Sequence, residues 1–242
     1  MSSKLGYEIY NIPYCYQNDQ NQLVGYDIAF AYQLARDLDC SLEFVPIHLE
    51  KMGEELSAGR YDLVMAATIM DEERIVAMDF THPYTEQDNV LVVPLKQRSG
   101  FVNLDQLINQ PGVKIGAVGG YKYVLQRHFP NAIAVTPTHI DPQLTHGQVD
   151  AWVWSHIPAF IWCLSHPGFV VMDYHGLIGK RYFSYPVRSG ATDFTSFLNN
   201  WLALKDQSGF KHDMYQYWIE GETPKKDRPR WSILRDVLHW VQ

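Results

Sequence analysis

The stretch Ala58-Gly59-Arg60-Tyr61-Asp62-Leu63-Val64-Met65-Ala66-Ala67-Thr68-Ile69-Met70-Asp71-Glu72-Glu73-Arg74-Ile75-Val76-Ala77-Met78-Asp79-Phe80-Thr81-His82-Pro83-Tyr84 decides how this chain is read. Tyr61 to Met65 is a short apolar run bounded by Gly59 and by small residues, the pattern of a buried parallel strand. Asp71 stands where a helix N-cap is expected, and Glu72 and Glu73 suit the positive end of a helix dipole. Arg74 is therefore expected about one turn inside a helix that starts just past the carboxyl end of a strand. Open α/β sheets hold small ligands at that place.

Outward from this stretch, strands and helices alternate. On the N-terminal side, Tyr7 to Tyr10 reads as a strand, Asn18-Asp19-Gln20-Asn21 as a polar hairpin, and Gly25-Tyr26-Asp27 as the start of a helix capped by Asp27. Ile28, Ala31, Leu34, Ala35 and Leu38 share one face of that helix. Ser41 to Pro46 is a second strand, and Leu49, Met52 and Leu56 mark a short helix closed by Gly59. On the C-terminal side, Asn89 to Leu95, Val113 to Val118, Ala132 to Val135, Asp150 to Trp154 and Gly168 to Met172 read as strands. Helices are expected after Asn103, after Gly119-Gly120-Tyr121-Lys122, over Asp141 to Gln148 and over residues 156–165. Arg181 to Val187 is a further extended run. Phe194, Phe197, Leu198, Trp201 and Leu202 then give helical periodicity, followed by Met214 to Ile219. Residues 223–230 read as a linker, and Trp231, Leu234, Leu238 and Val241 as an apolar stripe. Two half-chains of alternating elements predict two α/β lobes with a cleft between them.

Composition excludes several classes. The chain has 242 residues, 46% hydrophobic and 19% charged, enough for a substantial core and too apolar for disorder. A net charge of −7 without basic runs argues against nucleic acid as a partner. No apolar stretch approaches the roughly 18–20 residues that cross a bilayer. No signal peptide is read at Met1-Ser2-Ser3-Lys4. Cys15, Cys40 and Cys163 have neither disulfide-framework nor metal-ligand spacing; buried free thiols are expected, with a Cys15–Cys40 bridge left open. The motifs call for no cofactor and no metal.

The order Gly59-x-Tyr61-Asp62, the small apolar strand, the acidic turn, Glu73-Arg74 and Asp79-Phe80-Thr81-x-Pro83-Tyr84 resembles the extracytoplasmic solute-binding proteins of the polar amino-acid type. The resemblance runs from Pro13-Tyr14 to Tyr217-Trp218. It implies the type 2 periplasmic-binding-protein fold: lobe 1 from residues 1–88 plus 187–242, lobe 2 from residues 89–186, joined by two crossing strands. It also implies a periplasmic or extracytoplasmic monomer, a small carboxylate or amino-acid ligand, and a membrane transporter as partner, so that Met1 is not the natural start. The segment Pro229 to Trp240 resembles the tail of a subgroup fused to a secondary transporter.

The resemblance assigns carboxylate binding to Arg74 and an aromatic contact to Tyr14. It makes Ala67, Thr68 and Asp71 neighbours of that carboxylate, Gly120, Tyr121 and Lys122 a second anion-binding corner, and Ser155 a group facing the ligand amine, with Glu86 and Asp88 at the crossing point as further candidates to meet it. Tyr16, Trp152 and Trp154 are expected near the cleft as well, giving it an aromatic lining. Two departures bear on the ligand. Asp71 replaces a Thr hydroxyl, so it either caps its own helix or occupies Arg74. Ser155 replaces an Asp that pairs with the α-amino group, and a neutral hydroxyl does not supply that charge-assisted bond. No nucleophile–base pair is legible and the ten histidines are scattered, so the chain reads as a binding protein rather than an enzyme. The alternatives are a small-acid dehydratase, with Glu86, Asp71 or His156 as general acid, and a sensor ectodomain.

Overall fold

A computed structural model describes residues 2–8, 10–117, 121–135 and 146–222. The chain opens with β1 (Ser2–Tyr7), a small antiparallel meander of β2 (Tyr10–Asn11), β3 (Cys15–Gln17) and β4 (Leu23–Val24), and then α1 (Tyr26–Asp37). Next come β5 (Ser41–Pro46), α2 (Met52–Ser57), β6 (Leu63–Val64) and β7 (Met78–Phe80). The ten-residue β8 (Thr85–Pro94) leads to α3 (Leu104–Asn109), β9 (Lys114–Gly116), α4 (Lys122–His128) and β10 (Ile133–Val135). After β11 (Ala151–Ser155), α5 (His156–Ser165) and β12 (Phe169–Met172), the chain returns through β13 (Lys180–Phe183) and β14 (Pro186–Arg188) to α6 (Thr192–Gln207) and α7 (Phe210–Trp218).

Two sheets result. The first has the order β5-β1-β6-β14-β7, with β1 parallel to both β5 and β6. The second has the order β10-β9-β11-β8-β12. β8 is shared in use: Thr85 to Asp88 pair with β13, whereas Asn89 to Val92 pair with β11. Its apolar half, Val90 to Val93, is completely buried and reads as a central strand covered on both faces. β8 thus carries the chain from the first sheet into the second, β13 returns beside it, and β14 rejoins the first sheet between β6 and β7. This is the two-lobed α/β architecture with two crossing strands that the sequence predicts.

The core is aromatic. Phe30 of α1 packs edge-on against Trp201 of α6 and Phe210 of α7, with ring centroids 6.0 and 5.1 Å away, which fastens the C-terminal helices to the first sheet. Gly25 has φ +130, and a Cβ there would lie 2.3 Å from the Tyr14 carbonyl oxygen, so only glycine lets the chain turn into α1 at this place.

Several expectations are corrected. The first strand is Ser2–Tyr7 rather than Tyr7 to Tyr10, because it pairs in register with all six residues of β5, and this leaves Glu8 at its carboxyl end. Residues 72–77 form consecutive turns instead of a helix. Ile75 N–H reaches the Asp71 carbonyl at 3.1 Å, but β7 begins at Met78, so no room remains for a second helical turn. Ile75 and Val76 are accordingly 54% and 84% exposed, with no core to face. The returning run is two strands, not one. All three cysteines are free, with Cys40 Sγ 3.9 Å from Ser3 Oγ. The helix expected over Asp141 to Gln148 lies largely outside the described residues, and the stripe from Trp231 to Val241 entirely so.

Candidate functional site

Arg74 is held from three directions at the end of the turn that follows β6. Its Nη1 donates to the Ile69 carbonyl at 2.9 Å, its backbone N–H donates to Asp71 Oδ1 at 2.9 Å, and its Nε lies 3.8 Å from Asp71 Oδ2. Both alternatives raised for Asp71 therefore hold at once: one oxygen caps the turn and the other faces the guanidinium. The Arg74 side chain remains 21% exposed, so a fixed cation is presented rather than buried. Glu8, half-buried, lies within electrostatic reach; burial raises its carboxyl above the usual range and Arg74 opposes that rise.

The bed beneath Arg74 rests on Asp27. This residue caps nothing: the α1 N-cap is Gly25, without a side-chain bond. Asp27 is fully buried and accepts three hydrogen bonds, from Ala67 N–H at 2.6 Å, Tyr84 Oη at 3.0 Å and Tyr185 Oη at 3.0 Å. Desolvation pushes its carboxyl up to about 7, against the pull of those three donors. Ala67 is thereby held at φ +46, a left-handed conformation that costs a non-glycine residue about 1–2 kcal/mol. Next to it Thr68 is 4% exposed; its carbonyl accepts Ser184 N–H at 3.0 Å, and its Oγ1 has no hydrogen-bond partner among the described residues.

The second sheet supplies the facing wall. Tyr121, where α4 begins, shares a 2.6 Å hydrogen bond with Ser155 Oγ at the end of β11, and Ser155 is fully buried. Arg181 of β13 lies over both the Tyr121 and Tyr123 rings, with Cζ 5.1 and 5.5 Å from the centroids, and is 6% exposed. Desolvation lowers its pKa while Tyr121, Asp71 and Tyr123 raise it, and Arg74 lowers it further. The neighbouring Tyr182 carbonyl accepts Met70 N–H at 3.1 Å, which sets β13 directly beside the Asp71 turn. Arg74, Asp71, Arg181, Tyr121 and Ser155 thus form one electrostatic neighbourhood spanning both sheets.

Other expected members stand elsewhere. Tyr14 is 1% exposed, packed against Tyr26 and Phe183, and its Oη accepts from Gln87 Nε2. Gln87 in turn accepts Ile157 N–H at 3.0 Å, so one buried amide ties the N-terminal meander to α5. Glu86, one residue earlier on β8, points outward and bonds Lys180 Nζ at 2.7 Å, both side chains about half exposed. Lys122 is exposed, and Gly120 lies outside the described residues. The aromatic lining is corrected too: Trp152 is core, Trp154 packs against it partly buried, and Tyr16 packs against Trp218. His156 is 45% exposed and 3.9 Å from Asp173. Among the described residues, no group of three His, Cys, Asp or Glu side chains is arranged to hold a metal ion.

Sequence reasoning missed Glu8, Gln87 and Arg181. Strand alternation was the available signal for Gln87: in Thr85-Glu86-Gln87-Asp88 it is the one fully buried position. Glu8 and Arg181 carry no local signal, since their place depends on which strand ends meet.

The family described as bacterial extracellular solute-binding proteins, family 3, matches residues 4–221. Cyclohexadienyl dehydratase of Pseudomonas aeruginosa is 23% identical over 217 residues, covering 88% of this chain and 80% of that protein. The L-cystine-binding protein TcyJ of Escherichia coli K12 is 21% identical over the same shares. Among solved structures, the ancestral amino acid-binding protein AncCDT-1, a precursor of cyclohexadienyl dehydratase, has a TM-score of 0.77 at 22% identity, covering 90% of this chain and 95% of its own. At that identity the likeness speaks for the fold. With nine-tenths of its length matched and the two-sheet, two-crossing architecture in place, the chain belongs to the family 3 bacterial extracellular solute-binding proteins.

Proposed function

We propose that this protein captures a small carboxylate, of amino-acid size, and hands it to a membrane transporter from an extracytoplasmic or periplasmic position. The observation that carries the reading is Arg74: a guanidinium fixed by Ile69 O and Asp71 at the carboxyl end of the sheet, and still 21% exposed. Such a planar fork matches a carboxylate with two parallel, charge-assisted hydrogen bonds. In this reading the described residues of 1–88 and 187–222 form one lobe and those of 89–186 the other. Closure about β8 and β13 brings Tyr121 and Ser155 over the bound acid, a hinge motion. The relatives named for amino-acid and L-cystine binding support this reading.

Thermal-shift titration against amino acids, dicarboxylates and aromatic acids tests it. A ligand that binds only the folded chain adds about 2.7 kcal/mol at 100 times its dissociation constant. A melting-temperature rise lost in folded Arg74→Ala is the expected result; a rise that survives the substitution refutes it.

A second reading, a lyase acting on a small acid, draws on Glu8 and on the dehydratase relative. A half-buried carboxyl whose pKa burial raises, within electrostatic reach of an arginine, has the setting a general acid requires. Release of water and a decarboxylated or unsaturated product, abolished by Glu8→Gln with binding retained, separates it from pure capture.

A further inference from the structure

We infer that the C-terminal segment 223–242 of this chain docks on the exposed face of α5 and so straps the second sheet to the end of α7. The inference goes beyond the ligand reading above and does not depend on it. It starts from a surface that ligand capture leaves unused. α5 holds no Asp, Glu, Lys or Arg in its ten residues, His156 to Ser165. Ala159 is buried with Val90 and Val92 of β8, yet Phe160 and Leu164 are 52% and 69% exposed. With the half-buried Ile157 and Ile161 they follow at i, i+3, i+4 and i+7, which is one face of a helix. A helix that is apolar on every side is normally covered on every side. Among the described residues this face is open.

The place where the described chain ends selects the occupant. Trp218, the last residue of α7, packs on Tyr16 with ring centroids 6.3 Å apart. Two residues earlier, the Tyr14 hydroxyl meets Gln87, and Gln87 accepts Ile157 N–H at 3.0 Å in the first turn of α5. A short relay of side chains therefore separates the end of α7 from the start of α5. The eight residues 223–230 reach up to about 26 Å when extended, enough to follow that relay. Beyond them Trp231, Leu234, Leu238 and Val241 recur at helical spacing over about 15 Å, the length of α5 itself. Charge agrees with this seat: residues 223–242 carry five Lys or Arg against two Asp, in a chain whose net charge is −7, so the remainder is acidic and attracts them. A second copy fits less well. Four side chains are little beside the about 800 Å² per partner that a stable dimer buries, whereas a tethered segment acts at an effective concentration on the order of millimolar.

Hydrogen–deuterium exchange and limited trypsin digestion of the full chain test the contact from both sides. Leu234→Asp/Leu238→Asp is expected to speed amide exchange in α5 by about tenfold or more, a local opening without global unfolding. Phe160→Ser/Leu164→Ser, at two exposed positions, is expected to speed cleavage after Arg235 by about the same factor, because a released terminus is open to a protease. Both responses, in variants that circular dichroism shows to be folded, support the inference; a response in one arm only, or in neither, overturns it. Should the α5 variant not fold, the tail variant alone decides, and unchanged α5 exchange overturns the inference. Protection of α5 that grows with protein concentration and tracks a dimer in ultracentrifugation overturns it in favour of a second copy. Cleavage after Arg235 that ignores the α5 variant and is slowed by phosphatidylglycerol vesicles overturns it in favour of a membrane surface, the other partner for a basic apolar segment. None of these results bears on Arg74, so the carboxylate reading stands or falls by its own titration.

Discussion

Asp27 Oδ2 accepts the Ala67 N–H at 2.6 Å, and through that bond a buried carboxyl in the first helix fixes the backbone from which the Asp71–Arg74 turn departs. The stacked rings of Tyr84 and Tyr185, 4.2 Å apart, bring their hydroxyls to the same carboxylate from the start and the end of the crossing segment. One side chain thus registers α1, the β6 turn and both crossing strands.

The same residue makes stability depend on pH in an unusual direction. Its folded-state carboxyl titrates near about 7, well above the unfolded value near 3.9. Between these values the folded chain holds a proton that the unfolded chain has released, so stability falls as pH rises through the window and levels off above it. The term is on the order of a few kcal/mol. Urea unfolding at pH 5, 6, 7 and 8 of wild type and Asp27→Asn checks it. The difference between the two is expected to shift against wild type as pH rises; parallel curves would show that Asp27 does not titrate there.

Gln87 and Glu86 are adjacent on β8 and should behave oppositely. Gln87→Leu leaves the Tyr14 hydroxyl and Ile157 N–H without their partner inside the protein, at about 1–3 kcal/mol for each orphaned group. Loss of this tie also frees α5 from the meander, so a larger radius of gyration in small-angle scattering should accompany the lower denaturation midpoint. Glu86→Gln removes only an exposed pair with Lys180 and is expected to change stability by less than about 1 kcal/mol. Equal effects at both positions would contradict the inward and outward assignment.

Gly116 closes β9 against the face of Trp152, where a Cβ would stand 2.2 Å from the ring. Trp152 is 1% exposed and cannot retreat. Gly116→Ala is therefore expected to cost more than about 2 kcal/mol by overpacking, and Trp152→Leu in the same chain should recover part of it. Chemical unfolding of the two variants measures the recovery, and its absence would mean that the strain lies elsewhere.

What could be read in the sequence was whatever is local. Ser41–Pro46 forms over the expected residues, and Asn103 caps its helix by accepting Gln106 N–H at 2.9 Å, because period and cap chemistry are written in a few neighbouring positions. Arg74 stands just past a strand end as the local pattern implies, but the helix expected around it does not form, because β7 begins at Met78. Asp27 was misread as a cap since nothing near it announces Ala67, Tyr84 and Tyr185, which lie 40, 57 and 158 residues away. Tyr14 was misread for the complementary reason: an aromatic in a turn-rich loop looks available until the strand carrying Gln87 covers it.

Ser155 offers the sharpest test of how ligand choice is set. Its Oγ lies 2.6 Å from the Tyr121 hydroxyl, and Arg181 stands over the same ring at 5.1 Å. In Ser155→Asp the carboxylate can accept the Tyr121 hydroxyl and gives the second-sheet wall an acidic group with which an α-ammonium can pair. L-Glutamine affinity is then expected to rise by about tenfold or more, the worth of a charge-assisted hydrogen bond. The substitution buries a charge, so the variant should also lose stability in the absence of ligand and regain it when the ammonium is supplied. Calorimetry with L-glutamine, paired with melting curves with and without it, reads both changes. An L-glutamine affinity unchanged by Ser155→Asp would mean that Ser155 does not face the ligand.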